Sequence, residues 1–189
     1  MSGYVDCRGV PKPTAAELAA AHAKTVPDVI APGLSVLFCG INPGLYTAAT
    51  GHHFARPGNR FWPAMHQSGF TPRQLHPAEQ DELITYGLGV TNIVARATAR
   101  ADELTRDELR AGAWALTALV TRYEPAAVAV AGISAYRQAF DRPKAVMGEQ
   151  ADRIAGARLW VLPNPSGLNA HYQAPALAAA FRELRTAMC

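Results

Sequence analysis

Four short apolar runs constrain how this 189-residue chain folds. Residues 35–39 (SVLFC), 89–93 (GVTNI), 127–131 (AVAVA) and 159–162 (LWVL) are partly β-branched or aromatic, and Gly, Pro or Asn bounds each. Such short, punctuated runs read as strands. They are continuous rather than alternating, so each strand must be covered on both faces, as in a parallel sheet between two helical layers. Helical segments lie between them. Asn59 is placed to cap a helix through Gln67, and Pro77 fits the first turn of another that ends at Gly87. Thr105-Arg-Asp-Glu108 is a capping box that opens an amphipathic helix to Tyr123. Ser134 can cap a helix to Phe140, and residues 174–188 form a closing helix. The expected fold class is α/β: a three-layer αβα sandwich with a central, mainly parallel four-stranded sheet over residues 29–189. Residues 1–28 read as an N-terminal appendage, in which Thr14-Ala-Ala-Glu17 is a capping box before a short Ala-rich helix.

Composition excludes several classes. Hydrophobic residues make up 49% and charged residues 17%, enough for a substantial core and too little charge for a disordered chain. No apolar run reaches the ~18 residues of a membrane span. The N-terminal MSGYVDCRGVPKP lacks the basic-then-apolar order of a secretory leader. Cys7, Cys39 and Cys189 are widely spaced, with no disulfide framework and no CxxC metal pair. The expected location is therefore cytoplasmic, with no membrane association.

The net charge is +3, from 18 basic and 15 acidic residues, and all of that excess sits in one stretch. Residues 29–78 contain no Asp or Glu but hold Arg56, Arg60, Arg73 and four of the six histidines. An acid-free segment bearing Arg and His suits a polyanion, although chance clustering on a solvated face gives the same pattern.

Ligands of parallel α/β sheets bind beyond the carboxyl ends of the strands. The loop after the first run is Gly40-Ile41-Asn42-Pro43-Gly44-Leu45. Its glycines allow tight turns and close approach, Pro43 stiffens it, and Asn42 offers an amide on a rigid mount. An amide is no base near neutral pH, so Asn42 is suited to position a water or read a polar edge. The same residues also make an ordinary turn. The loop after the last run is Pro163-Asn-Pro-Ser166-Gly167-Leu168-Asn169, whose apolar tip fits a wedge between bases and equally a plain strand-to-helix connection. Between these loops lies Gly51-His52-His53-Phe54, where Phe54 is available to stack on a flat ring. Adjacent His52 and His53 point apart in an extended segment and make a poor metal pair.

With both loops in view, the sequence resembles the mismatch-specific uracil-DNA glycosylases, the Mug and thymine-DNA glycosylase branch of the uracil-DNA glycosylase superfamily. GINPGL, GNRFW, GVTN and WVLPNPSGL carry the resemblance in that order, from about residue 30 to the last helix. It implies an enzyme that flips uracil from duplex DNA, preferentially from G·U pairs, and hydrolyses its N-glycosidic bond to leave an abasic site. It implies no metal, no cofactor and no covalent intermediate. Asn42 matches the water-orienting Asn. Gly40, Ile41, Pro43, Thr47, Phe54 and Asn92 form the implied base pocket, with Phe54 stacking on the flipped base. Ser166, Gly167, Leu168, Asn169 and His171 form the implied wedge and opposite-base contact. Arg56, Asn59 and Arg60 lie where the DNA backbone passes. The implied partners are double-stranded DNA with G·U or related mismatches and downstream abasic-site repair enzymes. The protein would act as a monomer at the bacterial nucleoid.

The sequence departs from that pattern at several positions. Ala170 stands where the relatives carry Arg, which removes cationic support from the wedge, and His171 follows it. Thr47 occupies a wall position that is small in the relatives, so its branched side chain would crowd the C5 methyl of thymine. Two other classes remain open from the residues alone: a catalytically weak DNA-damage-binding module, and a nucleotide-binding α/β protein without glycosylase activity. The latter lacks both GxxxxGK[ST] and GxGxxG.

Overall fold

A computed structural model describes residues 12–189. The first 11 residues, including Cys7 and the start of the expected appendage, lie outside the described residues. Strands β1 (Val36–Gly40), β2 (Leu88–Asn92), β3 (Ala127–Ala131) and β5 (Ala157–Leu162) coincide with the four apolar runs and pair in parallel. Successive side chains of β1 face opposite layers, as strand geometry requires. Leu37 and Cys39 pack with Val128, Val130, Leu159 and Leu116 on one face. Val36 and Phe38 pack with Ala129, Trp160, Phe61 and Phe181 on the other. Helices α4 (Arg106–Tyr123) and α5 (Ile133–Ala139) cover the first face, while α3 (Phe61–Gln67) and α6 (Ala174–Ala187) cover the second. The three-layer α/β sandwich is as expected.

Among the described residues the sheet has five strands rather than four, the fifth being β4 (Gly148–Ile154), in the order β2-β1-β3-β5-β4. The additional strand runs antiparallel to β5 at the edge. Its sequence, GEQADRI, is mostly exposed and shows no apolar run to read. The turn that joins β4 to β5 uses Ala155 and Gly156, both with positive φ (46° and 89°), the backbone of a tight hairpin turn. Charges along this edge blunt further strand addition.

Other differences are local. Helix α3 begins at Phe61 with Arg60, not Asn59, at its N-cap; Asn59 stands one residue earlier, where its Oδ1 accepts from the Phe61 N–H (2.9 Å). The segment Pro77–Tyr86 is a 3-10 helix with a kink at Glu79, closed by left-handed Gly87. Gly132, rather than Ser134, precedes α5. Both Thr capping boxes form as expected, at α4 and at α1 (Ala15–Ala20). A short helix absent from the expectation, α2 (Leu45–Thr50), continues directly from the first loop. Within the expected appendage, Ala21 and Val26 are buried against Ala48 and Ala97, and just beyond it Val29 bridges to Val90. This path carries Pro27 to the strand ends. No helix among the described residues is long and apolar enough to cross a membrane.

Candidate active site

A cavity of about 140 Å³ opens at the carboxyl ends of the parallel strands. That is below the ~300–1,000 Å³ of drug-sized sites and suits a single flat ring. A larger hollow of about 510 Å³ lies beside α4, but side chains such as Leu116 and Leu119 make it mostly apolar. Convergent polar groups, not size, therefore select the strand-end cavity. Among the described residues no carboxylate lines it.

Asn42 sits on the loop after β1, and the chain after β2 holds that loop. Ile93 N–H donates to Gly40 O (2.9 Å), Val94 N–H to Ile41 O (2.9 Å), and Thr98 N–H to Pro43 O (3.1 Å). The Asn42 Nδ2 group donates to Arg96 O (3.0 Å) and to Thr98 Oγ1 (2.7 Å). The Thr98 hydroxyl in turn donates to Arg100 O (2.8 Å), so it must accept from Asn42. Arg96 O can only accept. Both amide hydrogens are thus committed and the amide cannot flip. Asn42 Oδ1 remains as a fixed acceptor in a residue that lines the cavity.

Gly40, Asn92 and Phe54 form a close-packed floor and wall. A Cβ on Gly40 would lie 2.5 Å from Asn92 Oδ1 and 3.3 Å from the Phe54 ring, so only glycine fits. Phe54 stacks on Phe61 with centroids 4.1 Å apart and planes 18° apart, while the ring also lines the cavity. Its φ of +54° lies in the left-handed region, which costs an aromatic residue roughly 1–3 kcal/mol. Thr47 is buried on α2 and lines the same cavity.

Buried His53 belongs to this floor although the sequence marked it only as part of a weak metal pair. Its Nε2 donates to Pro27 O (3.0 Å), because a carbonyl can only accept. Nδ1 is then the acceptor facing Asn92 Nδ2, at 3.4 Å. This tautomer turns the Asn92 amide nitrogen toward His53 and its oxygen toward Gly40. The His53 N–H donates to Gln80 Oε1 (2.7 Å), and its carbonyl accepts from Trp62 Nε1 (3.1 Å). Burial holds the His53 imidazole below its ordinary pKa, partly opposed by Pro27 and Asp28. A base whose folded pKa is lowered stabilises the fold fully above its unfolded pKa, about 6.5, and that contribution is lost as pH falls. Denaturation midpoints are therefore expected to drop from pH 7.5 to pH 5.5, and to drop less in His53→Gln. An equal drop in both proteins would remove His53 as the cause.

The residues of the implied wedge share the loop after β5, where their surroundings differ from one another. Leu168 stands 77% exposed at the tip of its loop, and Ser166 reaches the cavity. His171 is exposed beside the tip. Asn169 turns inward: its Nδ2 donates to Asn164 O (2.9 Å) and its Oδ1 accepts from the His171 N–H (3.1 Å). Arg56 is exposed at the cavity rim, as a phosphate contact requires. Arg60 is not so placed. Its guanidinium donates to Tyr172 O, Ser166 O and Asn169 O, so its charge faces protein carbonyls rather than an open surface. Thr98 and Asn164 also line the cavity and were not singled out from sequence: Thr98 stands in no motif, and Asn164 lies within WVLPNPSGL beside the residues that were named. Among the described residues no three His, Cys, Asp or Glu side chains cluster as metal ligands would.

These features define a three-layer α/β protein with a small cleft at its strand ends, lined by a fixed amide and an aromatic ring and, among the described residues, by no carboxylate. The chain belongs to the uracil DNA glycosylase superfamily, whose family model matches residues 27–185. Its fold is similar to the solution NMR structure of a "putative Uracil DNA glycosylase" from Methanosarcina acetivorans. The TM-score is 0.58 at 15% identity, covering 86% of this chain and 98% of that one. A likeness at this identity supports the fold alone.

Proposed function

We propose that the chain is a monofunctional DNA glycosylase of the mismatch-specific branch, which releases uracil from G·U pairs in duplex DNA. The observation that carries this reading is Asn42, with both amide hydrogens committed and Oδ1 left as an acceptor in a cleft to which no described residue brings a carboxylate. Oδ1 accepts a hydrogen bond from the attacking water and sets its direction. The C1′–N1 bond breaks first, its electron pair leaving on the uracil anion; the water oxygen then bonds to the oxocarbenium-like C1′, and the proton it sheds is taken up by the uracil anion. Acceleration then rests on orientation and on donors to the departing base. Phe54 stacks on the ring, and Asn92, oriented by neutral His53, pairs with the pyrimidine edge. Leu168 fills the gap in the stack. Thr47 crowds the C5 methyl and favours uracil over thymine. The enzyme acts as a monomer in the cytoplasm and hands an abasic site to enzymes that process it.

Incubation with uracil- or thymine-containing duplexes followed by alkali tests this. Strand breaks are expected from G·U, with little release from G·T. With Ala170 in place of Arg, guanine and adenine opposite uracil should differ by no more than one contact's worth, about 1–3 kcal/mol. Rapid release of thymine from G·T would sink the proposed preference. Duplex binding without breaks would instead favour a damage-binding module.

A further inference from the structure

The chemistry of Arg60 is unlike that of a surface cation. Its Nη1 donates to Tyr172 O (2.6 Å), and its Nη2 donates to Ser166 O (2.5 Å) and Asn169 O (2.8 Å). Its backbone N–H donates to Pro165 O (2.9 Å). Among the described residues no carboxylate pairs with it, and its Nε is buried without a partner. One residue thus grips four carbonyls of a loop more than 100 positions away. A second contact reinforces the grip. A Cβ on Gly167 would lie 2.5 Å from Gly58 O, so the two loops touch backbone to backbone. The next residue after Arg60 is Phe61, which carries the stacked Phe54 ring.

We propose that Arg60 is a positioning residue that locks the Leu168 loop to the wall bearing Phe54, so that wedge and base pocket move as one body. The proposal rests on the glycosylase reading and adds a device to it. A planar fork bonds three carbonyls in fixed directions, which a flexible ammonium does not reproduce. Pro163 and Pro165 anchor the base of the loop by burial, but residues 166–171 are exposed or only half-buried and add nothing to either face of the sheet's core, so the position of the tip depends on these contacts. The clamp supplies from beneath the loop the order that a cation on the wedge itself would otherwise bring, at the position held here by Ala170. When DNA binds, Leu168 meets the stack already aimed.

The test uses the full-length protein and a duplex holding guanine opposite 2′-fluoroarabino-uridine, which resists hydrolysis, with 2-aminopurine beside it. Base flipping raises 2-aminopurine fluorescence. Arg60→Ala is expected to bind the duplex with a Kd close to wild type, yet to lower the flipped-to-stacked ratio at saturation by about tenfold, the equivalent of one hydrogen bond to a charged group. Arg60→Lys should restore part of it. Gly167→Ala, which pushes the loop from the other side, should lose flipping likewise. Full flipping in Arg60→Ala overturns the proposal, as does a loss that merely follows a collapse in thermal stability in both alanine variants. A wild type that neither flips the probe nor releases uracil overturns the glycosylase reading itself, and the clamp with it.

Discussion

Replacing Asn42 with alanine is expected to lower single-turnover uracil release by two to three orders of magnitude, about the loss seen when one positioned polar group is removed from an active site. The size follows from how firmly the amide is held. Arg96 O and Thr98 Oγ1 take both hydrogens of Nδ2, so Oδ1 has one orientation and no competing protein donor among the bonds of the site. The variant leaves Arg96 O without this donor, at a cost to stability of ~1–3 kcal/mol. That is too little to account for the loss of rate if the protein remains folded, which melting of the variant would establish. Asn42→Asp separates positioning from base chemistry. The carboxylate retains an acceptor but turns an oxygen toward the Arg96 carbonyl, so activity should fall as well. If Asp matched Asn, Asn42 would not act as a positioned acceptor.

The second large effect is expected from Gly40→Ala, one methyl group at the end of β1. The new Cβ would stand 2.5 Å from Asn92 Oδ1 and 3.3–3.5 Å from the Phe54 ring. The strand backbone at Gly40, paired in register with Asn92, has no room to retreat. Asn92 must therefore rotate, which breaks its contact with His53, and Phe54 must tilt on Phe61. Overpacking of this kind costs typically ~1–3 kcal/mol of stability. Catalysis should suffer more, by about a hundredfold, because the floor that reads the base and the ring that covers it both move. Chemical denaturation and single-turnover release on the same preparation separate the two effects. Wild-type release from Gly40→Ala would show that neither Asn92 nor Phe54 touches the base.

The physics of burial decided what could be read from the chain alone. The parallel strands were legible because helices cover both faces and every position must be apolar, as in AVAVA at β3. Strand β4 was not, because an exposed edge places no such demand on GEQADRI. Asn42 and Phe54 were legible through loops whose glycines and proline signal a special backbone. Thr98 was not, since its bond to Asn42 spans 56 residues and exists only because β1 and β2 are neighbours. The same pairing brings Asn92 to His53 across 39 residues. Arg60 was misread for a different reason. Its stretch has no acidic residue, and an unpaired cation in sequence suggests an anion outside the protein. Backbone carbonyls are also acceptors, and they leave no trace in composition.

Phe54 shows where selection for robustness and selection for activity part company. Glycine or asparagine would occupy its left-handed backbone with less strain. A laboratory search for heat-tolerant variants, scored on folding alone, would therefore be drawn toward exchanging the aromatic ring at this position. Such a search would forfeit the stack of Phe54 on Phe61 and its packing on the core, which offset part of the strain, and would strip the cavity of its aromatic wall.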